Sequence, residues 1–152
     1  MLRDKFNEAL KDAMRAKDQR RVGTLRLILA ALKDKDIEAR GLGREKSTDE
    51  EILGLLQKMI KQRNDSIEAF DKAARVDLAT LEREEKAIIE EYLPQQMGAD
   101  DVRAAVKAAV ASTGAASVKD MGKVMAELKA KFAGKMDFSK ANAVVKEMLS
   151  GG

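Results

Sequence analysis

Ser117-Val-Lys-Asp-Met-Gly-Lys-Val-Met-Ala-Glu-Leu-Lys-Ala-Lys-Phe-Ala-Gly-Lys-Met-Asp-Phe-Ser-Lys-Ala-Asn-Ala-Val-Val-Lys-Glu-Met-Leu149 reads as two amphipathic helices joined at a glycine. Val118, Met121, Val124, Met125, Leu128 and Phe132 recur at three- and four-residue spacing and form one apolar arc, with Lys119 and Lys123 on the opposite side. Ala126 and Ala130 continue that outer row, and Gly122 flanks it. Gly134 marks the turn, Asp137 or Ser139 supplies the cap of the last helix, and Lys135 and Lys140 are left near the bend.

Working outward, Asp100 and Asp101 open a preceding helix with Val102, Val106 and Val110 on its apolar face, and Gly114 closes it. Upstream, Pro94 lacks an N–H and stops a helix marked by Leu78, Leu81, Ile88, Ile89 and Tyr92. Ser47-Thr-Asp-Glu-Glu51 supplies a cap and acidic first turn for a helix expected to reach Ala74. Leu2, Phe6, Leu10 and Met14 mark a first helix; Val22, Leu25, Ile28, Leu29 and Leu32 mark a second, before a glycine-broken loop at 41–46. The expected fold is all-α, with a four-helix N-terminal domain at 1–94, a linker at 95–98 and a three-helix basic domain at 99–150.

Composition agrees with helices and restricts chemistry. Aromatic residues are 3% of the 152 residues and proline occurs once, a palette that disfavours sheets. Cysteine and histidine are absent, which removes thiolate metal sites and the usual general base near neutral pH, and argues against self-contained catalysis. No metal and no cofactor are expected. The N-terminus becomes charged at once, without an apolar stretch of signal-peptide or transmembrane length, so the expected location is cytoplasmic and no membrane partner is expected.

Charge is unevenly placed. Residues 1–94 hold 20 Lys+Arg against 20 Asp+Glu, whereas residues 95–152 hold 9 against 6, so the net charge of +3 lies behind Pro94. Such a local excess suits a surface that meets phosphate, although lysines also simply solvate helix faces. Two further charges interrupt apolar arcs: Arg63 among Ile52, Leu56, Met59, Ile60, Ile67 and Phe70, and Glu85 among Leu78, Leu81, Ile89 and Tyr92. They are expected to form a structural ion pair; the alternative makes Arg63 an anion anchor and Glu85 an acid.

Thr24-Leu-Arg-Leu-Ile-Leu-Ala-Ala-Leu-Lys33, Lys58-Met-Ile-Lys-Gln-Arg-Asn-Asp-Ser-Ile-Glu-Ala-Phe70, the segment from Glu82 to Gln96, Met121-Gly-Lys-Val-Met125 and Asn142-Ala-Val-Val-Lys-Glu-Met-Leu149 together resemble the GatB/YqeY domain family, in its free-standing YqeY-like form. The resemblance implies a two-part helical fold and kinship with the C-terminal tail of GatB, the subunit of a tRNA-dependent amidotransferase whose tail contacts the tRNA body. Neither the ATP-using cradle nor the glutaminase partner of that enzyme has a counterpart in the chain. By resemblance, Lys119, Gly122, Lys123, Lys135, Lys140 and Asn142 are the expected contacts to tRNA, with Lys129, Lys131 and Lys146 adding diffuse attraction. The expected function is a noncatalytic tRNA-binding accessory module. The alternatives are a docking module for amidotransferase subunits or an aminoacyl-tRNA synthetase, and a carbon–nitrogen ligase component that uses glutamine only with partner subunits.

Overall fold

The computed structural model describes residues 1–150. Among them the chain is all-helical: α1 Leu2–Arg15, α2 Gln19–Gly41, α3 Asp49–Lys72, α4 Val76–Glu90, α5 Ala99–Thr113, α6 Met121–Phe132 and α7 Phe138–Ser150, with a 3₁₀ turn at Val118–Asp120. The chain divides into two compact units between Leu93 and Pro94.

In the first unit, Phe6, Leu25, Ile28, Ile52, Leu56 and Ile89 are fully buried, drawing one apolar stripe from each of four helices into a single core. Each such side chain contributes about 1.5–3 kcal/mol over its exposed state. Phe6 meets Tyr92 edge-on, with ring centroids 5.1 Å apart. Met14 departs from the expected stripe: it is 52% exposed, and Ala13 is buried instead. Four-residue steps overshoot a helical turn by about 40° each, so by Met14 the row has drifted off the core face, while Ala13, seven residues after Phe6, stays on it.

Local chemistry sets the helix ends. Thr48 and Glu51 form a reciprocal capping box at the start of α3. That helix ends at Lys72, short of the expected Ala74, because Ala74 turns left-handed (φ 57) and Arg75 N–H closes back on Phe70 O at 2.8 Å. The end of α1 repeats the device at Lys17, also at φ 57. α4 stops at Glu90, and Tyr92 and Leu93 donate to Ile89 O and Glu90 O, both at 3.1 Å, before Pro94.

Two of the ion pairs that join elements of the first unit are less exposed than the rest. Arg63 Nε donates to Glu85 Oε2 at 3.1 Å across α3 and α4, with side chains 12% and 22% exposed. Arg63 also donates to Met59 O at 3.2 Å, so the guanidinium is held by its own helix as well as by its partner. Arg3 forks onto Asp36 (Nη1 to Oδ2, 2.6 Å) and donates to Ser47 O at 3.0 Å, while Ser47 N–H donates to Asp36 Oδ1 at 2.8 Å. The start of α1, the last turns of α2 and the approach to α3 are thereby fastened at one point. The Arg3 guanidinium holds the Asp36 carboxyl far below the ordinary carboxylate range, opposed by burial and helped by the Ser47 amide.

In the second unit, Val106 of α5, Val124 and Leu128 of α6, Met136, and Ala141 and Val145 of α7 are fully buried. Residues 95–98, expected to be a linker, are bound into this unit. Met97 N–H donates to Lys135 O at 2.9 Å, and Gln96 Nε2 donates to Gly134 O at 2.6 Å. Satisfying these backbone groups at the α6–α7 bend is what converts a polar connector into packed structure.

Candidate nucleic-acid interface

The basic surface is built on the elements that follow Gly114. That glycine adopts a left-handed conformation (φ 69) and ends α5, with Ala115 N–H returning to Val110 O at 3.2 Å. Asp120 then turns the chain: its carboxylate accepts from Ala116 N–H at 3.0 Å, which lowers its pKa, with Lys123 adding a smaller coulombic effect. The turn so formed is 3₁₀, and α6 starts only at Met121.

That start alters the expected lysine row. Lys119 lies on the 3₁₀ turn, where each residue advances about 120° rather than 100°, so it does not continue the α6 row of Lys123, Ala126 and Ala130. Val118, expected on the apolar arc, is 43% exposed for the same reason. The α6 face itself is ordered as its spacing requires: Val124 and Leu128 are buried, Met121, Met125 and Phe132 half-buried, and Gly122, Lys123, Ala126 and Ala130 exposed.

Gly122 is the second residue of α6, and a Cβ built there would meet nothing within 4 Å. Packing among the described residues therefore places no demand for glycine at this position, although glycine weakens a helix by about 1 kcal/mol relative to alanine in its interior.

The cations differ in how far they are already neutralised. Lys123 Nζ lies 4.0 Å from Asp120, Lys131 lies 3.4 Å from Glu127, and Arg103 lies 3.1 Å from Glu147. Lys119, Lys129, Lys135, Lys140 and Lys146 are exposed and make no ion pair among the described residues. Glu127 is also engaged from α5, accepting from Ser112 Oγ at 2.9 Å.

The bend that carries Lys135 and Lys140 is firmly built. Gly134 is left-handed (φ 77), Lys135 N–H donates to Phe132 O at 3.0 Å, and Met136 anchors the turn in the core with none of its surface exposed. Asp137, of the two expected caps, accepts from Ser139 N–H at 2.9 Å and Lys140 N–H at 3.4 Å at the start of α7. Asn142 is exposed on the first turns of α7, beside buried Ala141. The six expected contacts thus occupy three local segments of one compact unit: Lys119 on the turn, Gly122 and Lys123 on α6, and Lys135, Lys140 and Asn142 around the bend.

Sequence reading missed Gln96 and Met97, whose backbone and amide hydrogen bonds hold this bend. Among the described residues no group of three or more carboxylates, cysteines or histidines could hold a metal ion. No helix among them is long and apolar enough to cross a membrane.

The family model described as "Yqey-like protein" matches residues 3–149, and the chain belongs to that family. Curated relatives with the name altered inheritance of mitochondria protein 41, mitochondrial, are similar over part of it. The one from Lachancea thermotolerans is 47% identical over 87 residues, 57% of this chain and 44% of the relative. Those from Saccharomyces cerevisiae (strain YJM789) and Kluyveromyces lactis are 40% and 42% identical over 87 and 88 residues, 57% of this chain and 45% of each relative. The matched segment spans less than half the length of these relatives.

Proposed function

We propose that this chain is a noncatalytic tRNA-binding module that holds the tRNA body through its second unit. The observation that carries the reading is the set of exposed lysines on the turn, α6, the bend and α7 that pair with no carboxylate among the described residues. Lysines in that state release counterions when they meet phosphates, and helical surfaces suit recognition of RNA by shape rather than by base edge. The sequence resemblance to the GatB/YqeY family, which implies kinship with the GatB tail, is the reason for choosing tRNA among polyanions. In this reading amide transfer belongs to other subunits, and the chain supplies a grip. The relatives' names carry the word mitochondrial, and we place this chain in a reducing aqueous compartment, cytosolic or mitochondrial.

The test is the salt dependence of binding to an unfractionated tRNA pool. With about four phosphates neutralised, log affinity falls with log salt at a slope of about −3 to −4. Lys119→Glu/Lys123→Glu is expected to weaken binding and flatten that slope, most of it through Lys119, because Lys123 is already drawn to Asp120. Affinity indifferent to salt would sink the proposal.

A second reading has one observation in its favour. The small-residue row of Gly122, Ala126 and Ala130 is exposed, with open space above Gly122, and suits close approach of a protein helix from an amidotransferase or synthetase. Pull-down of such a protein that survives nuclease treatment favours this reading; loss of the partner with the RNA favours the first.

A further inference from the structure

The bend between α6 and α7 is held from outside the hairpin. Pro94, Gln96 and Met97 run beside it as a strap: Gln96 Nε2 bridges Pro94 O at 2.9 Å and Gly134 O at 2.6 Å, and Met97 N–H donates to Lys135 O at 2.9 Å. Two consecutive carbonyls of the bend are fixed in this way, that of a left-handed glycine and that of the lysine itself, while the turn closes on its own bond from Lys135 N–H to Phe132 O. Lys135 is thus an exposed cation whose own carbonyl, like that of the glycine before it, is held by a residue 38 positions earlier.

We propose that Gln96 and Met97 are positioning residues for anion binding at this bend: the strap holds the Lys135 backbone in its binding geometry, and a polyanion seated on Lys135 and Lys140 tightens the strap in return. This rests on the tRNA-binding reading. A lysine on a loose bend must give up backbone as well as side-chain freedom when it engages phosphate, whereas on a strapped bend the backbone share is already given up, so the strap acts on affinity without touching the ligand. Reciprocity follows from linkage: whatever the strap contributes to binding, binding contributes to the strap. The strap begins at Pro94, the residue at which the second unit starts, so strap and bend belong to the same unit.

A positioning residue and a contact residue leave different marks on a salt titration. Gln96→Met keeps the length of the side chain and removes its donor. In the full chain, with the tRNA pool as probe, it is expected to weaken binding about three- to tenfold with the salt slope unchanged, because the same phosphates are engaged at a higher entropic cost. Lys135→Ala is expected to weaken binding and to reduce the slope by about 0.7–0.9, one phosphate fewer. Amide exchange at Met97 in the unaltered protein is the second measurement, and it is expected to slow when tRNA is bound.

Gln96→Met binding as tightly as the unaltered chain while Lys135→Ala loses affinity overturns the strap and leaves the tRNA reading standing. Unchanged exchange at Met97 on binding overturns it equally, even where Gln96→Met proves too unstable to titrate. A flattened slope in Gln96→Met makes the residue a contact rather than a positioner and also overturns it. Absence of salt-dependent binding by the unaltered chain removes the tRNA reading and the strap with it.

Discussion

Gly122→Ala separates what the fold needs from what a ligand needs. A Cβ at this position enters open space, so nothing in the chain opposes the gain in helix propensity. In a helix interior that gain is about 1 kcal/mol; at the second residue of α6, where the first turn is only partly constrained, about half of it is expected, roughly 0.5 kcal/mol. Val124 and Leu128, on the buried face of the same helix, exchange their amide hydrogens through openings of the second unit. A gain of about 0.5 kcal/mol slows that exchange about twofold at 25 °C. If tRNA or a partner approaches the α6 backbone within van der Waals contact, the same methyl group overfills the contact and weakens binding at least about fivefold, by analogy with overpacking in cores. Nuclear magnetic resonance exchange and a binding titration on one protein read both. Faster exchange at Val124 and Leu128 would refute the account of the open helix face. Slower exchange with unchanged binding would remove Gly122 from the interface.

Two further outcomes concern the first unit, where Tyr92 fluorescence reports unfolding alone because the chain has no tryptophan and no second tyrosine. Removing Glu85 as Glu85→Leu strands the less exposed member of the pair and is expected to cost about 2–3 kcal/mol; Arg63→Met leaves the more accessible Glu85 and is expected to cost less, about 1–2 kcal/mol. The double variant is expected to recover most of the loss, and additive single costs in urea unfolding would show that the two charges act independently. Asp36 titrates below its unfolded value, so its contribution is present above about pH 4 and is lost as pH falls through that range toward its folded value. Asp36→Asn is expected to lower stability at neutral pH and to flatten the acid limb between about pH 4 and pH 2; an unchanged acid limb contradicts the clasp.

The helical class and the apolar faces are legible in the sequence because a helix writes its buried side at three- and four-residue intervals, as Val124 and Leu128 or Ile52, Leu56 and Met59 do. Arg63 and Glu85 are legible as partners because each interrupts such a face. What periodicity cannot carry is contact between distant backbone groups. Asp36 and Ser47 lie 33 and 44 residues from Arg3 along the chain, and the three obey no shared spacing. Gln95-Gln-Met-Gly98 has the composition of a connector, and nothing in its side chains announces that Met97 N–H finds Lys135 O. Periodicity puts Lys119 on the α6 row whereas it lies on a 3₁₀ turn, because a 3₁₀ segment and the first turn of an α-helix share the same residue preferences. In the candidate interface, then, the identity of the cations is readable from the sequence, but their orientation and their prior neutralisation by Asp120 and Glu127 are not.

The Arg3–Asp36–Ser47 clasp has a bearing on how the chain tolerates length variation. Both backbone groups of Ser47 are gripped, its N–H by Asp36 and its carbonyl by Arg3, and the capping box begins at the very next residue. The path of α3 is therefore set from Ser47 onward, whatever route the chain takes to reach it from Leu42. Lengthening that route costs little, because the entropy of closing a loop grows only logarithmically with its size. The stretch between Glu45 and Lys46 is accordingly the place where an extra segment, an epitope or a fluorescent tag can be accommodated while the four-helix core keeps its register.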